Sequence, residues 1–168
     1  IVEPAYVHRI EYEPNDSLLS RQYYLELIKA FEAWDITRGS EEVLVAIVDS
    51  GIDRNHPDIV DNLWYNEDDP IDGIDNDDNG FVDDYRGWDF AGADQNNPDD
   101  EDNDPKIIRG GSHSHGTGVG GLVGATPDNE IGFAGVGFNT RLVFTKHMAD
   151  NQSEDQLSLF DTYSGILY

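Results

Sequence analysis

Apolar residues in this 168-residue chain are gathered into short segments separated by long polar stretches. Between residues 22 and 34 the apolar positions recur every three or four residues, which is the period of one helix face. They are Tyr24, Leu27, Ile28, Phe31 and Trp34. The pattern predicts an amphipathic helix that ends at the Thr-Arg-Gly-Ser run at 37–40.

A second apolar segment, residues 43–48, is rich in β-branched side chains and does not alternate with polar residues. Such a run predicts a central parallel strand that is covered on both faces. Asp49 follows it directly, at the carboxyl end where open α/β sheets form their ligand crevices. Residues 142–145, Leu-Val-Phe-Thr, predict another short strand.

Residues 115–124 are predicted to form a helix although they include five glycines. Each exposed glycine within a helix costs about 1 kcal/mol relative to alanine, so five of them indicate backbone packed tightly against a neighbour. A last helix is predicted to open at a capping box formed by Ser153 and Gln156. Its inward face would carry Leu157, Phe160, Ser164, Leu167 and Tyr168.

The charge balance excludes several kinds of partner. Thirty-five acidic residues face ten basic ones, for a formal net charge of −25, and such a surface repels nucleic acid and anionic membranes. No run of about 18 apolar residues is present, so no membrane span is expected. The chain has no cysteine, which excludes disulfides and a thiol nucleophile.

The acidic excess is concentrated in residues 67–104, which hold sixteen acidic residues and one basic residue, Arg86. No periodic apolar pattern appears in residues 66–112, which are expected to form a long loop or insertion. A solvated, salt-adapted surface or a disordered acidic stretch would explain the composition alone. Residues 98–105 have no ligand spacing and are assigned to such a solvated loop.

Residues 75–84 favour a metal site over a solvated surface. Oxygen-bearing side chains occupy positions 1, 3 and 5 of a calcium-loop pattern, with Gly80 at position 6 and a backbone carbonyl at position 7. Position 12 is Arg86, so this is not an EF-hand and an earlier carboxylate must close the site. The expected Ca²⁺ ligands are Asp75, Asp77, Asn79, the Phe81 carbonyl, and Asp83 or Asp84. The alternative is an acidic turn that holds no ion.

Two residues are candidates for proton transfer. Asp49 ends a predicted strand and His115 opens a predicted helix, although such residues occur at these positions in many proteins. His113 is the nearest rival base and is interpreted as a loop residue. His56 is expected to pack against or to cap the turn after the strand at 43–48.

The surrounding motifs resemble those of subtilisin-like serine proteases. Asp-Ser-Gly at 49–51 with His-Pro-Asp at 56–58 resembles the aspartate motif of that family, and His-Gly-Thr at 115–117 resembles its histidine motif. Residues 14–36 resemble the thermitase-like members. Gly120 stands where the family usually has alanine, and slightly looser packing is expected there.

The resemblance implies an α/β fold of three layers with a mostly parallel, doubly wound sheet. It also implies a secreted endopeptidase that hydrolyses polypeptides with an Asp-His-Ser triad. His115 would be the general base, and Asp49 would orient it and stabilise its protonated form.

No Gly-Thr-Ser turn for the nucleophile occurs before Tyr168. Residues 14–168 are therefore expected to be the amino-terminal part of a truncated peptidase domain, with an acidic insertion at 66–112, and to be inactive alone. Residues 1–13 have alternating apolar positions and resemble the end of a propeptide, which would act as an intramolecular inhibitor; the alternative is an ordinary linker. The rival function is a non-catalytic, calcium-binding acidic module or a pseudoprotease.

A second calcium site is implied by the resemblance alone. The corresponding ligands here are Asp16, Asp58 and Asn129, with the carbonyls of Pro127, Ile131 and Phe133.

Overall fold

The computed structural model describes residues 12–97, 99–108, 110–153, 155 and 158–168. Most of the strand and propeptide tail predicted for residues 1–13 lies outside these residues, as do Gln156 and Leu157 of the predicted last helix.

A parallel sheet organises the described residues. Its strands are β1 (Leu44–Asp49), β2 (Trp88–Asp89) and β3 (Arg141–Lys146), in the spatial order β1-β3-β2. Both neighbours pair with β3 in parallel, and Asp49 lies opposite Lys146. The prediction of a central position for residues 43–48 is wrong within the described sheet: β3 is the central, buried strand, while Leu44 on β1 is 46% exposed.

Helices cover both faces of this sheet. Alternate residues of a strand point to opposite faces. On one face, Leu142 and Phe144 contact α3 (His115–Gly124); on the other, Thr145 contacts α4 (Thr162–Leu167) at Gly165. The predicted three-layer α/β architecture with parallel strands is therefore confirmed.

Close packing explains why α3 is so rich in glycine. A methyl group at position 120 would lie 2.5 Å from Cζ of Phe144, and one at position 124 would lie 3.0 Å from Cδ2 of Leu142. The expectation of loose packing at Gly120 is wrong, because the Phe144 ring occupies the space that an alanine methyl would need.

The helix predicted for residues 22–34 is two helices, α1 (Tyr23–Leu27) and α2 (Ala30–Trp34). Lys29 separates them in the left-handed conformation, with φ of 61°. The bend allows Leu25 and Trp34 to enter one buried cluster with Ala134 and Phe138. Leu25 lies outside the apolar face that the sequence pattern predicted for a straight helix.

The last helix starts later than predicted. α4 begins at Thr162, after Asp161 in the left-handed conformation, so a helix that opens at Ser153 is wrong. Short 3₁₀ helices lie at Leu19–Arg21, Val60–Asn62 and Gly111–Ser114. No helix in the described ranges is long and apolar enough to cross a membrane.

Residues 66–112 are mostly irregular, as expected, but they contain β2, which no apolar pattern predicted. β2 brings the middle of this stretch onto the sheet beside β3. The main core lies between the sheet and α3 and comprises Ile47, Ile52, Ile59, Leu63, Leu142 and Phe144.

Candidate active site and acidic loop

Asp49 and His115 meet at the carboxyl end of β1. The Nδ1 atom of His115 lies 2.8 Å from Oδ1 and 3.0 Å from Oδ2 of Asp49. Since a carboxylate only accepts, this contact assigns the proton of the neutral imidazole to Nδ1 and leaves Nε2 as the acceptor. The His115 side chain is 49% exposed and that of Asp49 is 11% exposed, so the imidazole is open to solvent above a buried carboxylate.

Glycine makes this approach possible. A Cβ atom on Gly116 would lie 2.4 Å from the Gly51 carbonyl oxygen and 3.1 Å from Cβ of Asp49. The amide of Ser50 donates to Oδ1 of Asp49 at 2.6 Å, and the amide of Asp53 donates to Oγ1 of Thr117 at 2.9 Å. The loop after β1 is thus held directly against the first turn of α3.

The other two histidines considered in the sequence analysis have different surroundings. His113 is fully buried in a 3₁₀ turn and its Nε2 lies 3.2 Å from the Gln152 carbonyl oxygen. Nδ1 of His56 accepts from the amide of Asp58 at 3.3 Å, which agrees with the predicted turn cap.

A buried charge network, missed from the sequence, lies at the same end of the sheet. Lys146 ends β3 and is 1% exposed; its ammonium group pairs with Asp89, which is 2% exposed, and with Asp150 at 2.8 Å. Burial raises the pKa of Asp89 to about 6, against the opposing effect of Lys146. Burial by itself lowers the pKa of Lys146, but the charge of Asp89 and the other contacts raise it overall. The one sequence signal was a lysine that closely follows the apolar run at 142–144.

The acidic loop, residues 69–84, brings three carboxylates together. Oxygens of Asp69, Asp75 and Asp77 all lie within 4.8 Å of one another, which is close enough for the three to hold one metal ion. Asp69 was not predicted, because it lies outside the repeating pattern of residues 75–84. It is buried, and donation from the amides of Asn76 and Asp84 at 2.7 and 3.0 Å lowers its pKa, with the Asn76 amide contributing most.

Asp83 and Asp84 have different surroundings. Oδ1 of Asp83 accepts from the amides of Asp72 and Gly73 at 2.8 and 2.7 Å. Asp84 is buried, and its carboxylate accepts from Asn79 at 3.0 Å and from Asn66 at 2.6 Å; Asn66 also donates to Asp77. Hydrogen bonds therefore connect Asp84 to Asn79 directly and to Asp77 through Asn66, whereas Asp83 is tied to the turn beside it.

The remaining predicted ligands of this loop also lie within it. Asn79 donates to Oδ2 of Asp77 at 3.1 Å, and its Oδ1 accepts from the Phe81 amide at 2.8 Å. The ring of Phe81 packs edge-on against Trp88, Phe90 and Tyr168, so the loop is anchored to β2 and to the end of α4. Carboxylate and amide oxygens form a donor set that fits Ca²⁺.

The second predicted set converges on Asp58. Asn129 donates to Oδ1 of Asp58 at 2.9 Å, and the Phe133 amide donates to Oδ2 at 2.8 Å. Asp16 accepts from the Asp128 amide at 3.0 Å, while its buried Oδ1 has no hydrogen-bond partner among the described residues. Burial raises the pKa of Asp16, and the Asp58 carboxylate adds to this rise. An unpartnered buried oxygen beside a second carboxylate fits a cation.

Two other predicted ligands of this set lie in the same loop. Ile131 donates its amide to Oδ1 of Asn129 at 2.7 Å, and Pro127 directly precedes Asp128.

Comparison with known proteins shows which proteins the chain resembles. The chain matches the model of the subtilase family over residues 40–165. Subtilisin-like protease 1 of Plasmodium berghei (strain Anka) is 34% identical over 142 residues, which are 82% of this chain and 22% of that protein. The halolysin-like extracellular serine protease Nep of Natrialba magadii is 31% identical over 123 residues, which are 73% of this chain and 18% of that protein. The chain thus spans about a fifth of the length of these relatives.

A solved structure of a protease from Pseudoalteromonas arctica is also similar. It shares 26% identity with a TM-score of 0.55, and the match covers 82% of this chain and 39% of that one.

Proposed function

The chain belongs to the subtilase family, and we propose that it supplies two members of a serine-peptidase triad, Asp49 and His115. The observation that carries the proposal is the contact of 2.8 Å between Nδ1 of His115 and Oδ1 of Asp49, with the imidazole half-exposed. The nucleophilic serine is proposed to come from sequence other than these 168 residues, since the chain spans about a fifth of its relatives' length.

Peptide-bond hydrolysis would proceed by acyl transfer. Nε2 of His115 takes the hydroxyl proton as the serine oxygen attacks the scissile carbonyl carbon, and the protonated imidazole then gives that proton to the leaving amine. A water molecule, deprotonated by His115, then attacks the carbonyl carbon of the acyl-enzyme. The imidazolium returns the proton to the serine oxygen, and the carboxylic acid product leaves. Throughout, Asp49 remains ionised, accepts the hydrogen bond from Nδ1–H of His115 and stabilises the imidazolium by its negative charge.

Calcium is proposed to stabilise the fold and to take no part in the chemistry. Asp69, Asp75, Asp77, Asn79 and Asp84 with the Phe81 carbonyl would hold one ion, and Asp83 is proposed to support the loop from outside. A bound dication would neutralise carboxylates that otherwise repel one another. The set around Asp16, Asp58 and Asn129 would hold a second ion, a proposal supported by the unpartnered Oδ1 of Asp16.

The substrates are proposed to be polypeptides, and the segment before residue 14 is proposed to be the end of an inhibitory propeptide. Secretion is proposed as well, and the extracellular assignment in the name of the Natrialba magadii relative supports it.

The central test is a set of histidine and aspartate variants in the complete protein that carries this chain. His115→Ala and Asp49→Ala should each lower kcat by about 10⁴-fold or more, the loss typical for such a triad. His113→Ala should lose far less activity, since His113 is buried away from solvent. A fluorophosphonate probe should label the complete protein and leave the 168-residue chain unlabelled.

Two results would overturn the proposal. Heat-sensitive labelling of the 168-residue chain would mean that one of its own serines is the nucleophile. A complete protein that neither reacts with the probe nor hydrolyses casein would point to the non-catalytic, calcium-binding module.

A further inference from the structure

We propose that Ser50 is a positioning residue that fixes His115 against Asp49, an inference that rests on the proposed peptidase function. Ser50 follows Asp49 in the chain and is fully buried. Its hydroxyl donates to the carbonyl oxygen of His113 at 2.8 Å and accepts from the amide of Gly116 at 2.9 Å. These two backbone groups lie on either side of His115.

The start of α3 needs such a partner. The first amides of a helix have no acceptor within the helix and are normally satisfied by the side chain of the N-cap residue. The N-cap residue here is Ser114, and it makes no capping bond to α3; its hydroxyl donates backwards to the Gly111 carbonyl at 2.7 Å. Ser50, 66 residues away in the chain from Gly116, takes over this role for the Gly116 amide.

The capping bond also joins the two members of the triad. The Ser50 amide donates to Oδ1 of Asp49 at 2.6 Å, and the same oxygen accepts a hydrogen bond from Nδ1 of His115 at 2.8 Å. Hydrogen bonds therefore run from Asp49 through Ser50 to the backbone of α3, and return from His115 to Asp49. A change in the position of α3 relative to β1 would have to break the hydroxyl bonds of Ser50 first.

A positioning role makes a different prediction from a purely structural one. If Ser50 only satisfied two buried backbone groups, its loss would lower stability and leave the proton transfer unchanged. If Ser50 positions His115, its loss also loosens the contact between His115 and Asp49, and small displacements of a catalytic base reduce turnover strongly. Because Ser50 is buried, substrate contacts are not altered in either case.

The test uses the complete protein with Ser50→Ala, Ser50→Thr and, as a matched control, Ser114→Ala. The control removes a serine hydroxyl next to His115 that does not cap α3. We expect Ser50→Ala to lower kcat about tenfold, the equivalent of one buried hydrogen bond, with KM unchanged. The acid limb of kcat/KM should move to lower pH, because a looser Asp49 stabilises the imidazolium less. Ser50→Thr keeps the hydroxyl and should recover most of kcat, and Ser114→Ala should match the wild type.

A readout without turnover separates this inference from the proposed function. The Nδ1 proton of His115, followed by NMR, should exchange faster with solvent in Ser50→Ala than in Ser114→Ala. If His115→Ala keeps full activity, the peptidase assignment fails, and the NMR measurement alone judges Ser50.

Unchanged kcat, pH limb and proton exchange in a Ser50→Ala protein with a lower melting temperature would overturn the positioning role. If Ser50→Ala does not fold, Ser50→Cys replaces it in the kinetic, pH and NMR measurements, since cysteine is similar in size to serine and is a weaker hydrogen-bond donor.

Discussion

Replacing Asp77 with asparagine should reduce the stability that calcium gives to this protein, while the same replacement at Asp78 should not. Asp77 belongs to the group of three carboxylates whose oxygens lie within 4.8 Å of one another, and Asp78 is an exposed neighbour outside that group. Both variants remove one negative charge from the same loop. Asp78 has a φ of 59°, which asparagine also tolerates, so the control adds no backbone strain.

Repulsion between the carboxylates favours cation binding, and the ratio of calcium concentration to Kd sets the gain in stability. Two unit charges 4.8 Å apart repel by about 1 kcal/mol in a water-like medium and by about 3.5 kcal/mol at an effective dielectric constant of 20. Three carboxylates form three such pairs, and a bound dication replaces this repulsion with attraction. Calcium at a hundredfold excess over Kd should then raise the free energy of unfolding by about 2.7 kcal/mol. A tenfold weaker site in Asp77→Asn would leave about 1.4 kcal/mol of that increment.

The assay is urea unfolding of the complete protein in calcium and in chelator, with sodium chloride added to match ionic strength. Matching is essential because a net charge of −25 makes the whole surface sensitive to screening. The quantity compared is the difference in unfolding free energy between the two solutions for each variant. Limited proteolysis should also cleave residues 75–84 faster in chelator than in calcium.

Two outcomes would refute this reasoning. Equal unfolding of the wild type in calcium and chelator would mean that neither acidic site binds an ion. Equal losses of the calcium increment in Asp77→Asn and Asp78→Asn would mean that calcium acts only as a diffuse counter-ion of the loop.

The features that the sequence predicted well are those with local causes. The predicted helix at 115–124 has the observed bounds of α3, and the strand predicted at 43–48 differs from β1 by one residue at each end. A buried strand and a glycine-rich helix have their signals within their own residues. The meeting of Asp49 and His115 was predicted from the motif resemblance, since neither residue alone distinguishes a catalytic site.

The features that it did not predict depend on contacts between distant residues. β2 has two residues and is defined by pairing with β3. The break at Lys29 is explained by the buried cluster that α1 and α2 share with Ala134 and Phe138. Asp69 joins the acidic group because the chain folds back through the amides of Asn76 and Asp84. No spacing rule reports such contacts in advance.

Three further predictions test the packing and charge around the site. Gly120→Ala should destabilise the protein because its methyl would lie 2.5 Å from Cζ of Phe144, and Phe144→Leu in the same chain should recover part of the loss in a thermal melt. Tyr168→Phe removes the hydroxyl that donates to Oδ2 of Asp84 at 2.6 Å, and urea unfolding should show a loss of about 1.5 to 3 kcal/mol, the range for a hydrogen bond to a charged group. Asp89, paired with Lys146 in the buried network, should titrate near pH 6 in a carboxyl ¹³C NMR experiment. Because its pKa is higher in the folded protein than the ordinary value of 3.8, the folded state binds the proton more tightly, so the contribution of this group to stability is greatest below pH 4 and falls as pH rises to about 6. Asp89→Asn should remove that slope from unfolding free energies measured between pH 4 and pH 7, and a carboxyl that titrates near pH 4 in the wild type would contradict the effect assigned to burial.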